Sequence, residues 1–351
     1  MIVYLLLFGV PAALAILEML RRRTLAPWVM LGVVAACMIL MGFRETGGDF
    51  TTYVIFLENS AGKDFEFVVV RTEPLYGILN MIANATGGGI YLVNLVCSAI
   101  FLTGLYRFAQ QEPIPQLTWA IASAYLLIVV AIGYTRQGTA IGMILWAIAE
   151  LRLGKNRRFL LLLVLAIGFH TSAAMALLLG PRGINLQNGY ARLGSSALFI
   201  LSGIAGVFYG LDSALERYQA AYASDHYSSD GALLRIGLSA AAALLFAIKG
   251  KILSKDEYGL WLIFAAMTLG SLAILPVQST VADRLALYTI PLQLVMFGRV
   301  PLLFRNTMVG NLAALAVIAG YGGVLAIWLF AGNFAGELWL PYENLLFGPI
   351  A

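Results

Sequence analysis

Apolar stretches recur from one end of this chain to the other, each followed by a short polar one. Residues 1–20, 27–43, 89–108, 117–134, 138–151, 195–209, 233–248, 258–275, 285–298 and 308–330 carry almost no charge. A helix of about 20 such residues crosses the roughly 30 Å hydrocarbon core of a bilayer. The stretches neither alternate with period two nor show one narrow apolar stripe, so they read as helices apolar all round. The pattern predicts roughly ten transmembrane helices in one bundle, because lipid tolerates only backbone whose polar groups are paired within the protein. No linker, repeat or low-complexity tract divides residues 1–351, which read as a single membrane domain.

Basic residues set the direction of each span. "RRR" at 21–23 follows the first apolar run, the reverse of a secretory leader, so residues 1–20 are expected to stay as a span entered from outside. The alternation then holds until the basic "RLGKNRR" at 152–158. A single crossing by residues 158–180 would put "PRGINLQNGYAR" and the basic "KGKILSK" outside and the acidic "LDSALERYQAAYASDHYSSD" inside. A segment that dips in and returns reverses all three placements. Residues 158–169 and 171–179 are therefore expected to be two half-helices of a re-entrant pair with His170 at the apex. Both termini then lie outside.

Composition agrees with the pattern: 61% hydrophobic and 11% charged residues, with a mean hydropathy of +0.86, against roughly 25% charged in soluble domains. The net charge of +4 sits in short patches between spans, where topology accounts for it, and nucleic-acid binding is not expected. Cys37 and Cys97 fall inside apolar runs and read as small core residues. No His, Asp, Glu or Cys grouping has metal-ligand spacing, and no cofactor motif is present; "GGG" at 87–89 reads as a turn before a span.

The expected topology gathers "RETGGDFTTY", "TRQ", "LERYQAAY", "ADRLALY" and "WLPYENLL" on the outer face. Arg44, Arg136, Arg217 and Arg284 lie there against the usual charge bias, and the guanidinium fork suits phosphate oxygens. Such a cavity fits a ligand that carries a pyrophosphate, a lipid tail and sugars. His170 and Asp49 are the candidate bases for a sugar hydroxyl. The plainer alternatives are an Arg44–Asp49 pair at a span end, a satisfied core histidine, and an interfacial Arg136. Ser213 and Glu216 have capping-box spacing, which predicts a short helix that starts there and sets Tyr218 and Tyr222 on one face, as sugar platforms or as an aromatic belt. Tyr342 has the same two readings, and His226 reads as ordinary surface.

The order of "GFRETGGDFTTY" at 42–53, "EPLY" at 73–76, "TRQGTA" at 135–140, "FHTSA" at 169–173, "RLALY" at 284–288 and "WLPY" at 339–342 resembles the EpsG-like branch of the Wzy-type polysaccharide polymerases. The likeness spans nearly the whole chain; each motif is short, and their order and loop placement carry it. One departure is the glycine pair before Asp49, where a bulkier residue is expected. The resemblance implies an all-α polytopic protein of GT-C-like glycosyltransferase architecture in a bacterial inner membrane. It implies a metal-independent enzyme that joins repeat units carried on undecaprenyl pyrophosphate into O-antigen, capsule or exopolysaccharide. A chain-length regulator and a flippase are the implied protein partners. The expected catalytic residues are His170, Asp49, Arg44, Arg136 and Arg284; the expected substrate-binding residues are Tyr53, Glu73, Tyr76, Gln137, Arg217, Tyr218, Tyr222, Tyr288 and Tyr342. A ligase that moves finished polymer onto another acceptor, or a membrane transporter with broken helices, are the rival classes.

Overall fold

The computed structural model describes residues 1–21, 23–185, 187–221, 232–332 and 334–350, with the backbone alone at 207–221 and at 350. The apolar runs fold as helices. α1 (Ile2–Arg21) and α2 (Pro27–Gly42) come first. The stretch between the second and third apolar runs, given no element by the sequence pattern, holds three further helices: α3 (Phe50–Ser60), α4 (Phe65–Arg71) and α5 (Pro74–Thr86). Pro74 opens α5, where a missing N–H costs nothing, and Gly87 closes it at φ 72, a left-handed conformation that a side chain resists. α6 (Gly89–Ala109) follows, then α7 (Pro115–Ala122), which continues as a π-helix over Ser123–Ala131.

α8 (Thr135–Arg152) packs against α6 at a glycine crossing. A Cβ on Gly104 would stand 1.8 Å from the Gly142 carbonyl oxygen, and one on Gly142 would stand 2.4 Å from Phe101 Cα. Small residues at such crossings let two backbones touch, the usual means of holding helices together where no hydrophobic force acts between them. α7, its π extension and α8 are the most enclosed part of the bundle. The outer helices instead turn large apolar side chains outward, among them Leu6, Leu20, Leu262, Leu312 and Phe330. That is the surface lipid requires.

The segment around His170 breaks where the charge bias predicts. α9 (Asn156–Phe169) ends at His170, whose φ of −156° and ψ of 120° are extended, and Thr171–Gly183 continues as a 3-10 helix. The two halves pack side by side. Gly154 to Arg158 at the start of the segment and Gly183 to Asn185 at its end line one cleft of about 740 Å³, together with Ser195 and Phe199 of α10 (Gly189–Ala221). The segment thus leaves and returns at the same end of the bundle. α10 corrects one expectation: the helix is already continuous across Ser213, so no new helix starts there.

The rest is α11 (Ala232–Leu253), α12 (Tyr258–Ile274), α13 (Ser279–Ala286), α14 (Ile290–Gly298), α15 (Thr307–Ala331) and α16 (Ala335–Leu338), then strands β1 (Tyr342–Asn344) and β2 (Gly348–Ile350) in a small antiparallel hairpin. Within the run at 285–298 a 3-10 turn at Leu287–Thr289 joins α13 to α14. Among the described residues five helical stretches are long and apolar enough to cross a membrane: Ile2–Arg21, Gly89–Ala109, Ala232–Leu253, Lys255–Ile274 and Thr307–Ala331.

One end of the bundle is closed by ion pairs. Glu112 accepts from Arg152 at 2.7 Å and from Arg299 at 2.7 Å, and Glu257 accepts from both arginines and from Trp261 Nε1. This is the end that carries the α9 cleft and the basic loops. The hairpin geometry makes a direct prediction. Cysteines introduced at Lys155 and Asn185 should react with an impermeant maleimide from the same side of the membrane, over little background because Cys37 and Cys97 are buried. Labelling from opposite sides would show a single crossing.

Candidate functional site

The other end of the bundle carries the motifs, and the carboxy-terminal tail holds it in shape. The backbone of Arg44 bridges Asn344, the Glu45 amide donates to the Glu343 carbonyl at 2.9 Å, and the Gly47 amide donates to the Leu338 carbonyl at 3.0 Å. Trp339 lies over two glycines: a Cβ on Gly48 would stand 2.6 Å from its ring and one on Gly133 2.5 Å. Gly47 has φ 133, and a Cβ there would meet the Ile132 carbonyl at 2.9 Å. The glycine pair is therefore a fitted feature, since the 42–49 turn is pressed between the tail indole and the residues before α8. The Asp49 amide donates to the Gly133 carbonyl at 3.1 Å, which fixes where its side chain starts.

Two expected site residues belong to this frame. Tyr342 is fully buried, meets Tyr4 edge-on and donates to the Leu40 carbonyl, so it presents no face to a sugar. Arg44 is 0% exposed. Its guanidinium donates to the Met41 carbonyl at 2.8 Å and to Thr135 Oγ1 at 2.6 Å, and makes no ion pair with Asp49. Expected as a catalytic group, it is a positioning residue that ties the end of α2 to the first residue of α8. The loss of solvent around it explains the difference: a side chain sealed by the tail cannot reach a substrate.

What remains is a compact polar cluster. α8 begins at Thr135, so Arg136 projects from its first turn. Its Nη1 meets Glu73 Oε2 at 2.5 Å, and its guanidinium lies 5.6 Å from the Tyr53 ring, 4.9 Å from Phe56 and 5.7 Å from Tyr76. An aromatic box around a guanidinium stabilises it through the ring faces while leaving its N–H edges to other partners. Arg136 keeps 15% of its side chain exposed. Its Nε and the Tyr76 hydroxyl, both buried, have no partner among the described residues. Tyr53, Tyr76 and Tyr288 are buried almost completely, so they form the box and wall and are not open stacking platforms.

Asp49 sits within electrostatic reach of Arg284 and Arg136, and the Tyr53 hydroxyl is 3.4 Å from its Oδ2. Burial pushes its carboxyl above the ordinary range, and the two arginines only partly offset this. Glu73 goes the other way: burial raises it, but Arg136 and His170 outweigh burial and hold it below the usual value. Arg284 is exposed at the end of α13, and Gln137 donates to its carbonyl at 2.8 Å, so Gln137 positions Arg284. His170, half-buried at the α9 break, lies 6.5 Å from the Tyr288 ring and accepts at Nδ1 from the Ser172 amide.

Five separate stretches thus converge: Asp49 and Tyr53, Glu73 and Tyr76, Arg136 and Gln137, His170, and Arg284 and Tyr288. The side chains of Arg217 and Tyr218, and the whole of Tyr222 and His226, lie outside the described residues. The sequence reading missed Arg235 on α11, which makes a two-pronged ion pair with Asp283 at 2.7 and 2.6 Å, next to Arg284. A charge just inside a span was the available signal, masked by the commoner reading of such arginines as interfacial. Among the described residues no group of three potential metal ligands occurs.

The tail's part in the frame can be measured. Trp339→Ala should destabilise the purified protein by about 3 kcal/mol or more in a thermal melt, the usual cost of removing a buried indole. Gly48→Ala should be harmful alone and much less so in the Trp339→Ala background, because the ring it strikes has gone. Additive losses would show that the two do not press on each other.

No curated protein matches this sequence, and no solved structure matches the fold. A family comparison does match, over residues 26–344, which takes in every motif of the cluster and the tail as far as β1. The chain is a member of the EpsG family, a group of polysaccharide-polymerase-like membrane proteins.

Proposed function

We propose that the cluster is the active site of a polysaccharide polymerase. In this reading it transfers a growing glycan from undecaprenyl pyrophosphate to a lipid-linked repeat unit on the outer face of a bacterial inner membrane. The carrying observation is the convergence of Arg136 and Arg284 on Asp49 and His170 from separate segments of the chain. Two guanidiniums beside a carboxylate and an imidazole match what glycosyl transfer from a pyrophosphate needs. The bond from the sugar C1 to the pyrophosphate oxygen breaks, and its electron pair leaves on the pyrophosphate. The acceptor hydroxyl oxygen forms the new bond to C1, and its proton passes to a base.

Stabilising the leaving anion is the largest demand, since donors placed in advance where charge develops contribute most. Arg136 meets it with a guanidinium already held by Glu73 and the aromatic box, so little freedom is lost on binding. Arg284, exposed at the end of α13, supplies a second fork. The pyrophosphate brings its own reactivity, so the reaction as written is independent of a metal. The gathering of two arginines, two carboxylates and an imidazole at one end of the bundle favours an enzyme over a transporter. A polymerase and a ligase share this chemistry up to the identity of the acceptor.

The arginine roles are tested by keeping the charge and removing the fork. Arg136→Lys and Arg284→Lys should each lower polymer formation from lipid-linked repeat units by about 10²-fold, the scale of one transition-state donor, while insertion and purification stay normal. Wild-type rates in both would remove pyrophosphate from the account. Glu73→Gln should lower activity less and raise KM more, because it loosens Arg136 without removing it.

A further inference from the structure

At the basic end of the bundle, charge is matched in one place and left over in another. Arg152 and Arg299 face Glu112 and Glu257, two cations against two anions. Glu150 alone meets three cations: Arg107 at 2.8 Å, Lys155 at 3.7 Å and Arg158 at 3.8 Å. Arg157, which lies between the last two in sequence, is exposed and makes no ion pair among the described residues. Lys155, Arg157 and Arg158 line the cleft of about 740 Å³ beside the start of α9, and among the described residues no acidic side chain lines it. We infer that this cleft holds the headgroup of an anionic phospholipid from the adjoining leaflet, with its acyl chains lying along α9 and α10. The cleft is at the opposite end of the bundle from the candidate active site, so the inference does not rest on the polymerase reading.

The cations select the headgroup. Two guanidinium forks and an ammonium suit the oxygens of a phosphodiester, which stays anionic at any physiological pH. The Glu150 contacts of Lys155 and Arg158 are longer than hydrogen bonds, so both groups keep donors for phosphate. The volume lies in the range of small-molecule sites, roughly 300 to 1,000 Å³.

The other walls select a lipid over a soluble phosphate. Leu160 and Phe199 line the cleft, and the same two helices carry Leu161, Val164, Leu198 and Leu201, each more than half exposed. Apolar surface of that kind faces hydrocarbon, and a basic pocket between membrane helices beside it is a setting for anionic headgroups. Residues 154–158 and 183–185 wall the cleft from the two ends of the segment that holds His170. An occupant therefore staples those ends together, and its binding energy adds to the stability of the fold.

The melting midpoint of the full-length protein in neutral micelles thus reports occupancy. Phosphatidylglycerol titrated into the micelles should raise the midpoint, and phosphatidylcholine should not. Glycerol 3-phosphate, which has the anion without the chains, should leave it unchanged at the same concentration. Arg157→Gln should weaken the phosphatidylglycerol response about fivefold, and the triple variant Lys155→Gln, Arg157→Gln, Arg158→Gln about 10²-fold. Ser195→Trp, which fills the cleft and keeps every charge, should abolish the response. Lys249→Gln with Lys251→Gln, an exposed basic pair at the end of α11 and outside the cleft, should keep it. Each variant is compared with its own midpoint in phosphatidylcholine. Equal protection by glycerol 3-phosphate would make the cleft a site for soluble phosphate and overturn the lipid. An equal loss in the Lys249 and Lys251 variant would show diffuse attraction to the basic surface. No rise with phosphatidylglycerol, or a full response in both the triple variant and Ser195→Trp, would overturn the site.

Discussion

A guanidinium with no exposure and no ion pair among the described residues is costly to bury, and the one at Arg44 ties together the helix ends that carry the candidate site. Its charge is spread over a carbonyl at the end of α2 and a hydroxyl at the start of α8, so neither helix end can shift without stranding it. Its backbone pairs with Asn344 of the tail. One residue thereby fixes three parts of the chain that are far apart in sequence. Arg136 is the next residue but one along that constraint: Thr135 receives the Arg44 hydrogen bond, and Arg136 leaves α8 in the direction this sets.

The division of labour across the bundle follows from solvation. At one end, arginines and glutamates are matched in closed networks, as with Arg152, Arg299, Glu112 and Glu257, and all their charge is consumed in holding helices together. At the other end cation and anion are matched incompletely. Arg136 has a carboxylate partner, while Arg284 stays exposed with its guanidinium outside any ion pair of the described residues. An exposed guanidinium next to a half-buried histidine is the feature of this end that the proposed anionic ligand uses, and residues buried beneath it hold the surrounding helices in place.

Much of this was legible in the sequence because lipid imposes strong rules. The apolar runs gave the helices, and the sign of the loop charges gave the reversal at His170, where a carbonyl and an amide had to be satisfied at a break. The gathering of "RETGGDFTTY", "TRQ" and "ADRLALY" was visible as a shared face, whereas "EPLY" and "FHTSA" were joined to them only by the order of the family motifs. Less was legible where the signal was local and amphipathic. Helices α3 to α5 are 7 to 13 residues long and carry mixed polarity, so neither length nor hydropathy announced them. Arg44 and Tyr342 read as ligand groups because a sequence shows charge and aromaticity but not the tail that seals them. The glycines before Asp49 read as an oddity for the same reason, since their partner, Trp339, is some 290 residues further along the chain.

In the proposed reaction one sugar–pyrophosphate bond breaks for each sugar–sugar bond made. The most direct measurement is on purified wild-type protein in liposomes supplied with a lipid-pyrophosphate repeat unit, with released lipid pyrophosphate and new glycosidic linkages counted in the same reaction. Polymerase action should raise the two together in equal amounts and give products that form a ladder of repeat units. Movement of intact lipid-linked units across the bilayer with neither product would contradict it.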